Sequence, residues 1–166
     1  MGILNIIQKI KQKRYTNNVK NTCLSYGKNL KVNNKSIVNQ NTSLKDNVNF
    51  NGMHIQGKGK VNIGSNFHSG IKCMIITDFH NYEGDAIPYD NTVISKDVII
   101  EDNVWIGNRV IILGGTHIGE GAIIQAGSVV VNDIPKYGIA GGHPAKVFKY
   151  RDIDHYKKLK KEKKFH

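Results

Sequence analysis

Acidic side chains are scarce in this chain: 13 Asp and Glu stand against 24 Lys and Arg, a formal net charge of +11. Such an excess implies an anionic partner or a tolerance for anions. Nucleic acid is the first class to consider, yet the sequence lacks helix-turn-helix, zinc-finger and RNA-binding signatures, and its aromatics are not interleaved with its basic clusters. A nucleic-acid binder is therefore not expected. Cysteine is nearly absent. Cys23 and Cys73 lie far apart and match no zinc or redox spacing, so the chain reads as neither disulfide scaffold nor structural zinc site. No apolar run is long enough to span a membrane and no cleavable leader is legible, which gives the expectation of a cytoplasmic protein. Proline stands at only three positions, one of which, Pro135, is expected to end the repeat because it cannot donate to another ladder.

What is present is a beat. Over residues 92–131 an aliphatic residue returns every sixth position, as Ile94, Ile100, Ile106, Ile112, Ile118, Ile124 and Val130. Four places after each of the first six comes a small or β-branched residue: Val98, Val104, Val110, Thr116, Ala122 and Ser128. A helix would repeat near 3.6 and a strand at two, so a period of six signals a stacked repeat in which each hexad is one side of a prism. The fold class expected is an all-β parallel β-helix, with small residues near the corners so that coils close to strand spacing. Gly107, Gly119 and Gly127 are expected to relieve backbone constraint there. The same beat is audible earlier as Val32, Val38, Leu44 and Phe50, with Ser36, Thr42, Val48 and His54 four later. Asn between them suits corners, since it tolerates left-handed backbone.

Between Phe50 and Ile94 the frame slips. Ile63 and Ile75 keep register, but Ile75 to Ile94 is nineteen, which predicts a protruding loop at about 77–91, TDFHNYEGDAIPYDN. A loop thrown from a regular solenoid and carrying His, Tyr and carboxylates is where function is expected. Its histidine is His80, and imidazole suits proton removal near neutral pH. Trp105 precedes the inward Ile106, so its ring is expected to point outward.

The array and the run VWIGNRVIILGGTHIGEGAIIQAGSVVVNDIPKYGIAGGHPAKVFKYR resemble the hexapeptide-repeat acyltransferases over about residues 60–151. Within that superfamily the likeness is greatest to the sugar O-acetyltransferases of capsule, O-antigen and galactoside or maltose type. The resemblance, not the spacing, implies the left hand of the helix, a homotrimer with active sites between subunits, and acetyl-CoA as donor without a metal. It implies His80 as general base and Trp105 at the thioester. It places Asn108, Ala126 and Gly127 in the pantetheine groove and Lys146, Lys149 and Arg151 at the CoA phosphates. Asp78, Tyr82 and Glu83 fall where an acceptor sugar would meet the loop. His143 replaces the Asn that relatives commonly carry before Pro-Ala-Lys, and Gly114-Gly115 replaces their Pro-Gly. The implied activity is O-acetylation of a bacterial surface-polysaccharide sugar. A streptogramin-type acetyltransferase is the alternative, disfavoured by the lack of the N-G-A-N-H run of that group. A metal-dependent protein like γ-type carbonic anhydrase would need histidines converging among His54, His68, His80 and His117, without the paired ligand spacing of that group.

The expected organisation is an amphipathic basic helix over 1–22, the β-helix over 23–148, and a basic tail over 149–166 that is solvated or fraying. In the first helix Ile3, Ile6, Ile7 and Ile10 share a face. That face is expected to cover the open end of the prism, and contact with an anionic membrane surface is the competing use. Gly2 lacks the downstream Ser or Thr of a myristoylation signal.

Overall fold

The computed structural model describes residues 3–166. The reading of Gly2 lies outside the described residues, as does the side chain of Ile3. Helix α1 (Ile3–Thr22) is followed by fifteen strands and by helix α2 (Ile153–Lys161). The strands are β1 (Lys31–Asn34), β2 (Thr42–Leu44), β3 (Asn49–Gln56), β4 (Val61–Ile63), β5 (His68–Ile76), β6 (Asp78–His80), β7 (Val93–Ser95), β8 (Val98–Ile100), β9 (Trp105–Ile106), β10 (Ile111–Leu113), β11 (His117–Ile118), β12 (Ile123–Ile124), β13 (Val129–Val130), β14 (Gly138–Gly142) and β15 (Ala145–Tyr150).

They form a parallel β-helix. One face stacks β1, the start of β3, the start of β5, β9, β12 and β14. A second stacks the ends of β3 and β5 with β10 and β13, and a third stacks β2, β4, β8 and β11. The residues on the beat from Ile100 to Val130 are buried, as are Val98, Val104, Val110, Thr116, Ala122 and Ser128. Alternate residues along each short strand point into the prism, so a six-residue repeat buries two side chains and exposes the rest.

Ile94 departs from the beat's prediction. It is 40% exposed and pairs with Phe79 in the antiparallel β6–β7 hairpin, outside the coils. The coil resumes at β8, where Val61 pairs with Val98. The excursion thus extends beyond residue 91 to Lys96, whose N–H donates to the Thr77 carbonyl and closes the root. His54 is half-buried, and Met53 takes the inward place beside it after a bend at Gly52, whose φ is 111°.

Asparagine at one corner does what the composition suggested. Asn29, Asn47, Asn66 and Asn103 all have φ between 56° and 62°. Three of them form a ladder, with the Asn47 amide donating to Asn66 Oδ1 at 2.9 Å and the Asn66 amide to Asn103 Oδ1 at 2.8 Å. At Gly107 and Gly119 the reason for glycine differs from backbone relief, since neither has positive φ. A Cβ there would meet the backbone N of Ala126 or of Lys136 at 2.6 Å, so close stacking of coils demands the missing side chain.

Both ends of the prism are covered. Helix α1 packs on β1 through buried Val19 and half-buried Tyr15 and Thr16, and Thr16 Oγ1 accepts the Val32 N–H at 3.1 Å. The isoleucines do not perform this covering: Ile6, Ile7 and Ile10 are exposed. At the far end β14 turns back through His143-Pro144 into antiparallel β15. Helix α2 is docked rather than frayed. Asp152 caps it, and Tyr156 and Lys160 both donate to Glu120 Oε1. Among the described residues no helix is long and apolar enough to cross a membrane.

Candidate active site

The first face carries an outward column set by strand register. His68 pairs with Trp105, Trp105 with Ile123, Ile123 with Ile139, and Ile139 with Lys149. Side chains at paired positions project to the same side, so these five stand in line, about 19 Å from first to last at ~4.8 Å per strand. Their neighbours Ser69, Ile106, Ile124 and Ala140 are buried, which fixes the column outward. Trp105 is 51% exposed on this face, as its place before Ile106 predicted.

His68, Trp105, Ile123 and Ile139 floor an open groove of ≈ 640 Å³, bounded by Asn51, Gly70, Ile71, Gly107, Asn108, Gln125 and Ala126. Ile123 and Ile139 also line a second hollow of ≈ 330 Å³, walled by Lys149, Arg151, His155 and Tyr156. The two form one trough, with an aromatic and an imidazole at one end and basic side chains at the other.

Of the residues singled out in the sequence, Trp105, Asn108 and Ala126 line the groove together. Gly127 lies just beyond at the corner, exposed, with φ of 74°. Asn108 also has a structural task, because its Oδ1 accepts the Ile71 N–H at 2.9 Å and braces the coil below. Lys149 closes the column and Lys146 is exposed on the same hairpin. Arg151 lines the second hollow but is already engaged: its Nε–H donates to the Gly121 carbonyl and its guanidinium lies 5.6 Å from the Tyr156 ring centre. Burial pulls its pKa down from the usual guanidinium value. His143 sits exposed in the β14–β15 turn.

His68, Asn51 and His155 carry no signal in the hexad beat. Only the register that puts His68 beneath Trp105 reveals the first of them. Burial and then the charge of His166 hold the His68 pKa below the usual imidazole value. The Asn51 amide lies 3.1 Å from its Nε2.

His80 stands elsewhere. Its ring stacks on Tyr89 with centroids 3.8 Å apart and planes 13° from parallel. The arm that carries both is rooted where Gly114 turns the corner after β10. A Cβ on Gly114 would meet the Lys96 carbonyl oxygen at 2.7 Å and that of Thr77 at 3.0 Å, so glycine lets both root strands cross there. The groove opens at the preceding corner, around Asn108. The whole of β10 separates the two within one chain.

Asp78 anchors the arm rather than facing outward from it. Its Oδ1 accepts the Lys58 N–H at 2.7 Å and the Thr77 hydroxyl at 3.1 Å. Partial burial raises its pKa, but hydrogen bonds from Lys58, Ser95, Thr77 and Gly59 outweigh this and hold it below the usual carboxylate value. The loop tip is drawn tight by Asp90, whose Oδ1 accepts the Thr92 N–H at 2.8 Å. Tyr82, Glu83 and Ile87 project from it, Ile87 fully exposed.

Cys73 is buried, and burial lifts its thiol above the usual value despite backbone hydrogen bonds that lower it. It is not a ready nucleophile. Among the described residues no three His, Cys, Asp or Glu side chains converge as a metal site would require.

Repeat and solenoid together define the class, a hexapeptide-repeat β-helix: residues 90–132 match the family described as bacterial transferase hexapeptide (six repeats). No curated protein matches the chain by sequence. Among solved structures, a galactoside acetyltransferase in complex with coenzyme A is 27% identical, with a TM-score of 0.71, over 82% of this chain and 70% of that one. A maltose O-acetyltransferase from Clostridium difficile 630 is 26% identical, with a TM-score of 0.61, over 90% of this chain and 89% of that one. AntD, an N-acyltransferase from Bacillus cereus seen with dTDP and coenzyme A, shares the fold at 23% identity and a TM-score of 0.65, over 87% of this chain and 94% of its own.

Proposed function

We propose that the protein transfers an acetyl group from acetyl-CoA to a sugar hydroxyl, and that the column from His68 to Lys149 is the track for the donor. The polarity of that column carries the reading. Lys149, with Lys146 beside it, suits CoA phosphates through charge-assisted hydrogen bonds. Ile123 and Ile139 offer an apolar floor to the pantetheine arm, and the smallness of Gly107 and Ala126 keeps the groove open. The thioester then lies toward Trp105. The likeness to galactoside and maltose O-acetyltransferases favours a hydroxyl acceptor, and a bacterial surface polysaccharide or its precursor is the acceptor class that the strongly basic chain fits best.

The reaction needs one base. His80 takes the proton from the acceptor hydroxyl as its oxygen attacks the thioester carbonyl, giving a tetrahedral oxyanion that the Trp105 indole N–H or a backbone N–H meets. Collapse expels the CoA thiolate, which takes the proton back from His80. The products are the acetyl ester and CoA with its thiol restored. Because β10 keeps His80 from the groove of its own chain, the base is supplied by a neighbouring copy in a homotrimer, arm onto groove. Tyr82 and Glu83 at the loop tip then face the acceptor, while Asp78 serves by holding the arm.

Thiol release from acetyl-CoA with capsular and O-antigen oligosaccharides tests this. His80→Ala is expected to lower kcat at least about a hundredfold, within the range for loss of a general base, with acetyl-CoA affinity unchanged. Near-normal turnover in that variant, with loss of turnover in His68→Ala instead, would transfer the role of base to His68.

A further inference from the structure

Helix α1 has two faces and the prism uses one. The side that packs on β1 carries Val19, Thr16, Tyr15 and Gln12, the last hydrogen-bonded to Asn33. At 3.6 residues per turn, Ile10 projects about half a turn away from Val19 and Ile7 about half a turn away from Thr16, with Ile6 one turn before Ile10 at its side. All three are exposed, Ile10 to 63%, although isoleucine is among the residues most often buried. The isoleucines are thus turned away from the protein core, on the outer side of a helix that is itself an end cap.

The charges around them are of one sign. Between Ile3 and Thr22 there is no Asp or Glu, while Lys11, Lys13 and Arg14 are exposed within one turn, Lys11 and Lys13 at the borders of the isoleucine side and Arg14 on it. Two candidate occupants of that side can be weighed. A second copy of α1 would bring the same cations against these, which opposes pairing. An anionic surface would take the isoleucines among its acyl chains and the cations at its headgroups, the arrangement of a helix lying in a membrane interface. We infer that α1 docks the protein on an anionic phospholipid surface, with Ile6, Ile7 and Ile10 inserted and Lys11, Lys13 and Arg14 at the lipid phosphates. Attachment is reversible, since one short apolar stripe gives marginal binding unless charge assists it. The end of the prism that α1 covers then lies toward the membrane, and the trough with its Lys149 end points away.

Co-sedimentation of the full chain with vesicles tests this without any substrate, so its outcome is independent of the proposed acetyl transfer. The protein is expected to pellet with phosphatidylglycerol-rich vesicles, not with phosphatidylcholine vesicles, and to be released by salt near ~0.5 M, where surface attraction is screened. The double variant Ile7→Ser/Ile10→Ser is expected to lower the apparent partition constant at least about tenfold. Both positions are solvent-exposed, so its circular dichroism and melting temperature should match wild type. Binding to both vesicle types alike, binding to neither, or undiminished binding by the double variant would overturn the inference. So would a fall in oligomer mass in that variant without any change in vesicle binding, which would make a second copy the occupant.

Discussion

At His80 the structure adds what the residue itself could not announce. A histidine on an exposed arm is free to adopt several rotamers, and the stacked ring of Tyr89 restricts it. An aromatic pair of this kind contributes about 0.5–1.5 kcal/mol beyond its area burial. If His80 works only in the stacked rotamer, Tyr89→Ala should lower kcat about two- to tenfold and leave KM for acetyl-CoA unchanged. Tyr89→Phe should keep the wild-type rate, because the contact uses the ring face and not the hydroxyl. Steady-state kinetics with each variant separate this from a structural role, which would raise KM as kcat falls or lower the melting temperature. Tyr89 was invisible in the sequence because it lies nine residues from His80, and only the tight folding of the loop tip around Asp90 brings them together.

At the scale of elements, corners rather than strands hold the coils in place. Asn66 accepts from Asn47, donates to Asn103 and sits at φ 56°, so one residue carries two hydrogen bonds and a left-handed turn. Asn66→Ala is expected to destabilise by about 2–4 kcal/mol, combining two lost hydrogen bonds with the cost of left-handed backbone for a residue with a Cβ. Asn66→Gly should recover the backbone part and cost about 1–2 kcal/mol. Urea melts of the two variants distinguish the contributions. The ladder ends at Tyr156, whose hydroxyl accepts from Asn103 at 2.7 Å and donates to Glu120 at 2.9 Å. Burial and then the Glu120 carboxylate push its phenol pKa well above the usual value. A group raised on folding stabilises below its unfolded pKa and loses that contribution as pH rises toward the folded one, so the docking of α2 should weaken above about pH 10. Lys160, raised first by its bond to Glu120, acts with the same sign. The melting temperature should fall between about pH 9 and 11 more steeply in wild type than in Tyr156→Phe.

These elements also show what the sequence could carry. The hexad beat specified the solenoid because burial of every sixth residue is a local rule that each coil repeats. It misplaced Ile94 for the same reason: Ile94 stands six before Ile100 and so falls on the beat by position, although it pairs with Phe79 in the arm and not with a coil. The tail misled because Tyr156 and Lys160 find Glu120 across more than thirty residues, and no period links them. The alignment of His68, Trp105, Ile123, Ile139 and Lys149 in one column came only through strand register, which joins positions 37, 18, 16 and 10 residues apart along one face.

At the scale of the whole molecule, the proposed base His80 and the proposed donor groove lie on different corners, so within one prism they would not serve each other. The proposed ring of three prisms would let them, since a head-to-tail contact that closes by rotation would bring each arm to the next groove. The arrangement predicts complementation between inactive chains. His80→Ala removes the base, while Ala126→Trp fills the groove from an exposed position and leaves the arm intact. Each variant alone should be inactive. Unfolded together in equal amounts and refolded, they should regain about a quarter of the wild-type rate, the chance that a random neighbour pair sets an intact arm against an intact groove. Thiol release on the mixture measures it. No recovery from mixtures whose mass confirms mixed trimers would mean that each chain uses its own histidine, and His68, already beneath Trp105, would then be the group to replace next.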